Sequence, residues 1–506
     1  MTGLAMRQPK WSFTVLGQIL LLVGICIAVL TLLPPHLWSS PDTRDLVAIV
    51  GIIGVWRYGW WLTHLIRAVV YRRFSYPRRA AAASALWGTG WRPERIHILL
   101  TTFRERPETI ALVVGALAAE IRDSGRPCTL WLGSREATDE DAFAAALERL
   151  APDLDVELKI IRQTVPGKRA AIGLILRGMA RAGLGSRDLV MFMDSDFVVG
   201  RGLLQKCLPL FALDPDLHAL TTDEDVVVEG PGWVRSWLEM RFAQRRLAMQ
   251  SHALSNRVLT LTGRCSMFRA THIVSAEFIE LVEDDRLDNW LWGEFKFLSG
   301  DDKSTWYALL RRGVAMTYVP DAGGITVERI EGSGFARMVE NLRRWSGNML
   351  RNGARAIALG PKRMPVFIWW CLVDQRLAMW TMLFGPLCAI VGAFRFGIAF
   401  LIAYAVYIVL TRLVTTLVLS AYARRVDLNF VWCLYVNQIM NAGIKVYMIW
   451  RLPKQRWANR GNQRAGFASM SLAGVTREVA AALFTVASVA ALVLAATFAT
   501  GGASLL

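Results

Sequence analysis

Apolar residues gather in long runs near the two ends of the chain, and shorter patterned segments fill the middle. Phe13 to Leu33 has no charged residue and is long enough to span a membrane. Leu46 to Val70 predicts a second span, and Leu377 to Gly392, Gly397 to Leu419 and Val479 to Phe498 predict three more. A cleaved signal peptide is the alternative for the first run. Its length and the second span close behind it argue against cleavage.

Two further helical segments mix apolar and polar residues. Met338 to Ile357 carries four arginines among apolar residues and predicts an amphipathic helix on the inner membrane surface. Pro365 to Trp370 adds an aromatic interfacial patch. Phe430 to Trp450 is apolar but is interrupted by three amides and Lys445, with basic residues on both sides. We interpret it as interfacial or re-entrant, with a full span as the alternative.

Between the membrane segments, short apolar strands alternate with amphipathic helices. Such alternation predicts an α/β fold with a parallel sheet and right-handed crossovers. The predicted strands are Ile96–Thr102, Thr129–Leu132, Val156–Ile161 and Leu189–Asp194, and the predicted helices begin at Pro107 or cover Asp139–Leu150 and Lys168–Ala182.

Composition supports a membrane protein with a soluble domain. The chain has 506 residues, is 54% hydrophobic, and carries 58 Lys and Arg against 41 Asp and Glu, for a net charge of +17. The cations cluster beside apolar segments, at 72–79, 343–363 and 451–464. The positive-inside rule therefore places the N-terminus and the segment after residue 71 in the cytoplasm. A nucleic-acid partner is disfavoured because no binding motif accompanies the charge.

The cysteines and histidines predict no metal centre. The seven cysteines show no C-x-x-C spacing and lie mostly in apolar runs, as small core residues do. The six histidines are scattered without a metal-ligand pair. Neither a disulfide framework nor a zinc site is expected.

Two aspartates end the most apolar of the predicted strands. Leu189 to Met193 lacks alternation, which is typical of a strand covered on both faces, and Asp194-Ser195-Asp196 follows. Two anions at the carboxyl end of such a strand need compensation, most simply a divalent cation. Ligands of open α/β sheets bind at that edge. Solvated turn acids are the alternative.

A basic turn precedes the helix that begins at Lys168. In Val165 to Arg169, backbone amides at a helix start and the cations of Lys168 and Arg169 suit a diphosphate. An ordinary basic turn is the alternative.

A pair of acids follows a glycine further along the chain. Gly300 allows a tight turn, and either Asp301 or Asp302 is a candidate general base for a hydroxyl. Capping of the next helix is the alternative role, and the two roles are compatible.

An arginine and a tryptophan adjoin each other in Asn341 to Trp345. Trp345 is a stacking platform for a sugar ring, and Arg344 is a bidentate partner for phosphate. A lipid-facing interfacial Trp is the alternative.

These motifs, in this order, resemble those of the family 2 glycosyltransferases that polymerise and export polysaccharide, such as cellulose, chitin and hyaluronan synthases. The resemblance implies a cytoplasmic GT-A (Rossmann-like) domain inserted between transmembrane and interfacial helices. It also implies Asp302 as the catalytic base, with Asp301 beside it, and a divalent cation, Mg²⁺ or Mn²⁺, on Asp194 and Asp196. The implied donor-binding residues are Thr102, Arg104, Glu105, Lys168, Arg169, Asp194, Asp196 and Arg344, and the implied acceptor-binding residues are Asp223, Glu224, Asp225, Gly263, Arg264, Cys265 and Trp345.

The sequence departs from this family pattern in two places. The usual Asp-Asp-Gly after the second strand is replaced by Leu132 to Arg135, and Asn341 replaces the Gln of a Q-x-x-R-W motif. Lys454 to Arg460 resembles the loop that closes over the nucleotide in these enzymes.

Longer runs resemble the catalytic subunits of bacterial alginate (mannuronan) synthases. They include Thr221–Asp225, Arg241–Arg245, Asn256–Thr262, Gly347–Arg351 and Leu359–Arg363. This resemblance implies GDP-mannuronate as donor and a growing β-1,4-linked polymannuronate as product. It further implies a multi-pass protein of the bacterial inner membrane, a partner subunit that binds cyclic di-GMP, and periplasmic export machinery.

The predicted organisation has four parts. These are an N-terminal membrane region (1–75), a cytoplasmic transferase domain (76–335), interfacial helices (336–376) and a C-terminal membrane region (377–506).

Two arginines fall near the middle of predicted spans. An intramembrane arginine is costly and usually faces a pore or a partner. Two hypotheses follow for Arg57 and Arg412. Either they line an export path and meet the carboxylates of a polyuronate, or they pair internally, for instance with Asp374.

Overall fold

A computed structural model describes residues 13–39, 41–330, 332–457, 463–465 and 472–501. A sheet-containing domain lies between helices from the two ends of the chain. The strands are β1 Ile96–Thr101, β2 Cys128–Ser134, β3 Val156–Arg162, β4 Leu189–Asp194, β5 Phe197–Val199, β6 Leu217–Glu229, β7 Cys265–Arg269, β8 Arg286–Leu287, β9 Phe295–Lys296, β10 Ala315–Arg329, β11 Gln455–Trp457 and β12 Gln463–Ala465.

The helices occupy both ends of the chain and the crossovers of the sheet. A π-helical turn, Tyr71–Ser75, joins the third helix to the fourth. The α-helices are α1 Phe13–Leu32, α2 His36–Ser39, α3 Pro41–Val70, α4 Tyr76–Gly88, α5 Pro107–Ser124, α6 Ala137–Leu150, α7 Lys168–Ala182, α8 Leu203–Leu213, α9 Gly232–Ala253, α10 Ala270–Ile273, α11 Ala276–Glu283, α12 Asp301–Arg311, α13 Gly334–Ala358, α14 Val366–Phe396, α15 Ile398–Leu419, α16 Asn429–Ile449 and α17 Leu472–Ala499.

The main sheet is mixed and has eight strands in the order β3-β2-β1-β4-β7-β6-β10-β5. The strands β3, β2, β1 and β4 are parallel, as the strand–helix alternation predicts. Strand β7 is antiparallel to both β4 and β6 and converts the parallel half into a mixed sheet. Thr101 pairs with Asp194, so β1 and β4 end at the same edge of the sheet.

The inner strands β1 and β2 of the parallel half are buried on both faces of the sheet. Every residue of β1 and β2 is buried, which explains why their sequences show no apolar–polar alternation. The one imidazole inside β1 is compensated: Trp131 Nε1 donates to His97 Nδ1 at 3.2 Å, and His97 Nε2 lies 3.3 Å from Asp188. A buried polar group with partners on both nitrogens can stay inside the core.

Four helices among the described residues are long and apolar enough to cross a membrane. They are Thr14–Leu32 of α1 and the helices α14, α15 and α17. Gly397, with φ of 83°, joins α14 to α15 in a tight turn. The predicted second span lies in α3, which is not one of the four; Arg57 and Arg67 interrupt its apolar surface. The predicted boundary at residue 376 falls inside α14.

Helix α13 covers the predicted amphipathic segment but is buried more deeply than an interfacial helix needs. It packs against α12, α14 and α16. Polar residues on its inner face, including Asn341, Asn348 and Arg351, are buried together with Leu342 and Leu350. The helix therefore connects the sheet domain to the apolar C-terminal helices α14 and α16.

The two arginines that the sequence places near the middle of predicted spans have partners within the protein. Arg57 Nη1 donates to Asp374 Oδ1 at 2.6 Å, which is the internal pairing that the sequence left open. Arg412 donates to the Gln438 amide oxygen and to Tyr58 OH at 3.4 Å. The ion pair joins α3 to α14. An export role for either arginine stays a prediction.

The Arg57–Asp374 pair gives a stability prediction. Asp374→Asn leaves a mostly buried guanidinium without its counter-charge, so we expect the full chain in detergent to lose about 3 kcal/mol of stability. Thermal unfolding measures this loss, and Arg57→Leu combined with Asp374→Leu should recover much of it. The matched control is Asp153→Asn, which breaks the exposed Arg122–Asp153 pair and should leave the unfolding temperature nearly unchanged, because solvent screens that pair. Equal losses in the two single variants would contradict the interpretation.

Candidate active site

The site begins where β4 ends. Asp194 and Asp196 line a cavity of about 700 Å³. The intervening Ser195 is fully buried, and its hydroxyl donates to Glu105 at 3.2 Å. The backbone N–H of Asp194 donates to the carbonyl of Arg264 at 3.3 Å, so the segment before β7 fixes the strand end. The three-residue motif thus directs its two carboxylates into the cavity and its serine into the protein.

Lys168 bridges two acidic segments at this strand end. Its ammonium lies 2.7 Å from Asp194 Oδ1 and 3.0 Å from Asp301 Oδ2, and its side chain is 7% exposed. A Cβ on Gly263 would approach the Lys168 Nζ to 3.2 Å, so the absence of a side chain there leaves room for this bridge. The basic turn therefore supplies a buried counter-charge shared by the two acids.

Asp301 and Asp302 begin α12, directly after Gly300. Gly300 has φ of 87°, and a Cβ there would lie 2.7 Å from the Asn348 side chain, so α13 packs closely on this turn. Burial would raise the pKa of Asp301, but the charges of Lys168 and Arg169 outweigh burial and hold it below its ordinary value. Burial, and then the negative charge of Asp301, raise the pKa of Asp302. The two adjacent carboxyls thus differ in basicity, and Asp302 is the better proton acceptor.

The far wall of the cavity comes from helices that connect the sheet domain to the membrane region. Trp345 and Arg344 of α13 line it, and the rings of Trp345 and Trp237 stack with centroids 6.1 Å apart. Further lining residues come from α9, α14 and α16: Leu238, Arg241, Phe242, Arg245, Gln375, Asn441 and Lys445. One continuous cavity therefore joins the strand-end acids to the aromatic platform and to α16.

A second cavity of about 210 Å³ adjoins Lys168 on the side of β1 and β2. Thr102, Phe103, Arg135 and Gln163 line it. Asp139 fixes the turn after β1: the Thr102 hydroxyl and the Arg104 backbone N–H both donate to its Oδ2 at 2.8 Å. The turn that carries the implied donor-binding residues Thr102 and Arg104 thus shapes this smaller cavity.

Five of the predicted site residues line neither cavity. Arg169 is buried and donates to the carbonyls of Val282 and Ser299 and to the Ser304 hydroxyl, so it positions the start of α12 and does not face a diphosphate. Cys265 is buried within β7, and its carbonyl, not its thiol, accepts hydrogen bonds. Arg104 is exposed and pairs with Glu136 at 3.1 Å. Asp223 and Asp225 are the other two.

The acidic run on β6 divides according to strand alternation. Asp223 is buried and receives hydrogen bonds from Arg246 Nε and from Tyr318 OH at 2.9 Å. Asp225 lies 2.8 Å from Arg424 Nε on the same face. Glu224 points to the opposite face and lines the large cavity. Only the middle member of the run is thus placed to contact a ligand there.

Glu224 is held by two arginines at the edge of the cavity. It lies 2.9 Å from Arg245 Nη1 and 3.4 Å from Arg264 Nη1, and it accepts from the Thr262 hydroxyl at 2.9 Å. Burial would raise its pKa, but the two guanidinium charges outweigh burial and lower it. Glu224 is thus a permanent anion, and the predicted Gly263 and Arg264 lie beside it.

The structure also assembles a cluster that the sequence did not predict. His64, His252 and Cys371 come from α3, α9 and α14, and their potential metal-ligand atoms lie within 4.8 Å of one another. Residues this far apart in the chain form no recognisable spacing, so only the tertiary packing could show them.

The segment resembling a nucleotide-covering loop is described only in part. Lys454 pairs with Glu478 at 2.7 Å, and Gln455 accepts from the Leu298 backbone N–H at 2.9 Å. Residues 458–460 lie outside the described residues. Gln455 contacts the loop that precedes Asp301 and so connects this segment to the site.

A mixed sheet whose central parallel strand ends in Asp-Ser-Asp beside a deep cavity defines a glycosyltransferase of the GT-A type. A family model, glycosyltransferase like family 2, matches residues 93–348. The chain belongs to this family of glycosyltransferases, and apolar helices flank the family domain at both ends.

Several known proteins are similar to this one. The chain is 36% identical to a glycosyltransferase alg8 of Pseudomonas syringae pv. tomato, covering 90% of each chain. It is also 36% identical to a glycosyltransferase alg8 of Azotobacter vinelandii, over 87% of this chain and 89% of the relative. A solved mannosyltransferase of Pyrobaculum calidifontis, in complex with GDP-Man and Mn²⁺, is 17% identical over 79% of this chain and 98% of that one, with a TM-score of 0.47.

The raised pKa of Asp302 gives a pH prediction. A general base works only when ionised, so transfer should decline as the pH falls through the pKa of Asp302, above the ordinary Asp value of about 3.9. Asp301→Asn removes the neighbouring negative charge, lowers the pKa of Asp302, and should move this acid limb to lower pH. The measurement is the pH dependence of sugar transfer at saturating donor. Asp284→Asn, outside the cavity, should leave the limb in place, and an unmoved limb in Asp301→Asn would refute the coupling.

Proposed function

We propose that this protein is a processive, inverting glycosyltransferase that polymerises mannuronate from GDP-mannuronate. Its product would be β-1,4-linked polymannuronate, the precursor of alginate, exported across the inner membrane. The relatives named glycosyltransferase alg8 agree with the resemblance of the sequence to alginate synthases.

The observation that carries this proposal is the arrangement of acids around Lys168. Asp194 and Asp196 on one side, and Asp301 and Asp302 on the other, face one cavity. The first pair would hold the leaving nucleotide diphosphate, and Asp302 would take the proton from the acceptor hydroxyl. Separate groups for the leaving group and the nucleophile are what a single inverting displacement needs.

The strand-end carboxylates fit a divalent cation. Carboxylate oxygens are the ligands that Mg²⁺ and Mn²⁺ prefer, and both Asp194 and Asp196 reach the cavity. A cation bound there would neutralise charge on the departing diphosphate. Lys168 adds a fixed positive charge beside the same strand end, and Arg344 lines the same cavity from α13.

The two cavities suit the two parts of the donor. The smaller cavity, between the turn after β1 and Gln163, would take the nucleobase, with Arg135 and Gln163 as polar contacts. It contacts Lys168, as the large cavity does, so a diphosphate could pass between the base and the sugar. Related synthases carry Asp-Asp-Gly where this chain has a sequence that ends in Arg135. The replacement of the aspartates by an arginine agrees with recognition of a different nucleobase.

The large cavity also supports a polymer as acceptor. It extends from Asp302 past the Trp345 platform to Gln375 of α14 and Asn441 of α16. Trp345 would stack on the terminal sugar, and the product would leave between helices of the membrane region. A cytoplasmic active site, an inner-membrane location and a cyclic di-GMP-binding partner belong to this proposal.

Donor specificity tests the proposed function directly. Membranes containing the full chain and its partners should form polymer from GDP-mannuronate and none from UDP-sugars, because the base and uronate contacts differ. Polymer length separates a processive enzyme from one that adds a single sugar to a lipid carrier. Polymer from a UDP-sugar alone would overturn the donor assignment, and a single added sugar would overturn processivity.

Asp302→Asn tests the assignment of the base. The variant keeps the shape of α12 but cannot take a proton, so polymer formation should fall by at least about 100-fold. GDP binding should change little, because Asp194, Asp196 and Lys168 remain. Nucleotide affinity by titration and polymer yield are the two measurements. A loss of GDP binding as large as the loss of polymer would instead assign Asp302 to the donor site.

A further inference from the structure

The cations that line the large cavity differ in whether an acid accompanies them. Lys168 is paired with Asp194 and Asp301, Arg245 with Glu224, and Arg337 with Glu328 at 3.2 Å. Three other lining cations, Arg241, Lys303 and Lys445, form no ion pair with any residue in the described part of the chain. Lys303 donates to the Leu259 carbonyl and adjoins Asp302 in the chain, which leaves Arg241 and Lys445 at the other end of the cavity.

Arg241 lies against the aromatic platform. Its guanidinium carbon is 4.6 Å from the centre of the Trp345 ring, and its Nη1 donates to the Asn437 amide oxygen at 3.1 Å. A neutral amide orients the guanidinium without neutralising it. Burial alone lowers the pKa of Arg241 to about 10, so the group stays charged at neutral pH.

Lys445 lies on α16, one helical turn from Asn441. Asn441 accepts from the hydroxyl of Ser346, the residue next to Trp345, at 2.9 Å. Asp374 is within electrostatic range of Lys445, but it is paired with Arg57. Lys445 is half-buried and lines the cavity together with Asn441. It therefore presents an ammonium to the cavity close to the same platform.

Arg241 over the Trp345 ring and Lys445 elsewhere on the lining of the same cavity both lack a paired acid. Two such cations are costly unless an anion joins them. The platform would place the hydrophobic face of a sugar against Trp345, with the substituents of that sugar near Arg241 and Lys445. We propose that Arg241 and Lys445 bind the carboxylates of uronate residues in the acceptor chain, so that acceptor specificity for a polyanion is set at this end of the cavity. This inference rests on the proposed function.

Binding of defined oligosaccharides to the full chain in detergent tests this inference. The wild-type protein should bind a mannuronate hexamer at least about tenfold more tightly than neutral β-1,4-mannohexaose, because a charge-assisted hydrogen bond contributes that much. Lys445→Gln and Arg241→Gln should each weaken hexamer binding by about tenfold and leave neutral-oligomer and GDP affinities unchanged. Lys296→Gln, which removes an exposed lysine paired with Asp284 outside the cavity, is the matched control and should change none of them.

Each contrary outcome has one meaning. Lys445 makes no ring contact with the residues that the structure describes, so its variant separates charge from packing. Arg241→Lys should retain more hexamer affinity than Arg241→Gln. Unchanged hexamer affinity in folded Lys445→Gln protein would overturn the inference and leave the proposed function standing. An equal loss of GDP affinity would overturn it by assigning the cations to the donor. A wild-type protein that binds no mannuronate hexamer but transfers another sugar would overturn the proposed function itself.

Discussion

The contact on which the site depends is the ammonium of Lys168 between Asp194 and Asp301. The carboxylates of Asp194, Asp196, Asp301 and Asp302 face one cavity, and their mutual repulsion would otherwise push them apart or protonate them. A buried cation that touches one acid of each pair holds the end of β4 and the start of α12 together. It also makes the two acids at the start of α12 differ in basicity. The pKa of Asp301 is lowered, so it is held ionised, while the pKa of Asp302 is raised.

Much of the surrounding fold maintains that contact. Arg169, next to Lys168, turns into the protein, where it donates one hydrogen bond each to α11, to the loop before α12 and to α12 itself. Asn348 of α13 packs on Gly300. The helix that carries Trp345 is therefore packed directly against the start of α12 at Asp301. The membrane region is coupled through the same helix, since α13 packs on α16. Helix α13 would thus contribute both to the chemical step and to the passage of the product.

The parallel half of the fold was predictable because its signals are local. Unbroken apolar strands, Pro107 at a helix start and the cluster before Lys168 each identify an element without knowledge of its neighbours. The strands β5, β6, β7 and β10 escaped prediction because their pairing joins segments far apart in the chain. The family resemblance supplied the base and the cation site, which spacing alone left open.

Side-chain direction explains why some of the predicted site residues do not line the cavities. Successive helical residues differ by about 100° in direction, so Lys168 faces the cavity while Arg169 faces the core. Alternation along β6 similarly separates Glu224 from Asp223 and Asp225, and that rule could have been applied to the sequence. In the sequence, Lys445 appeared only as an interruption of an apolar segment and Arg241 only within a run that resembles alginate synthases, and neither feature predicted a shared site. The His64–His252–Cys371 cluster had no sequence signal. Only packing of distant helices brings them together.

A structure of the full chain with GDP and Mn²⁺ tests the central claim most directly. The account predicts the metal on carboxylates of the Asp194-Ser195-Asp196 motif and on the diphosphate, with Lys168 beside them. It predicts Asp302 off the metal, facing the space between the diphosphate and Trp345. Metal bound to Asp302, or a nucleotide bound away from the end of β4, would contradict the separation of leaving-group and base roles.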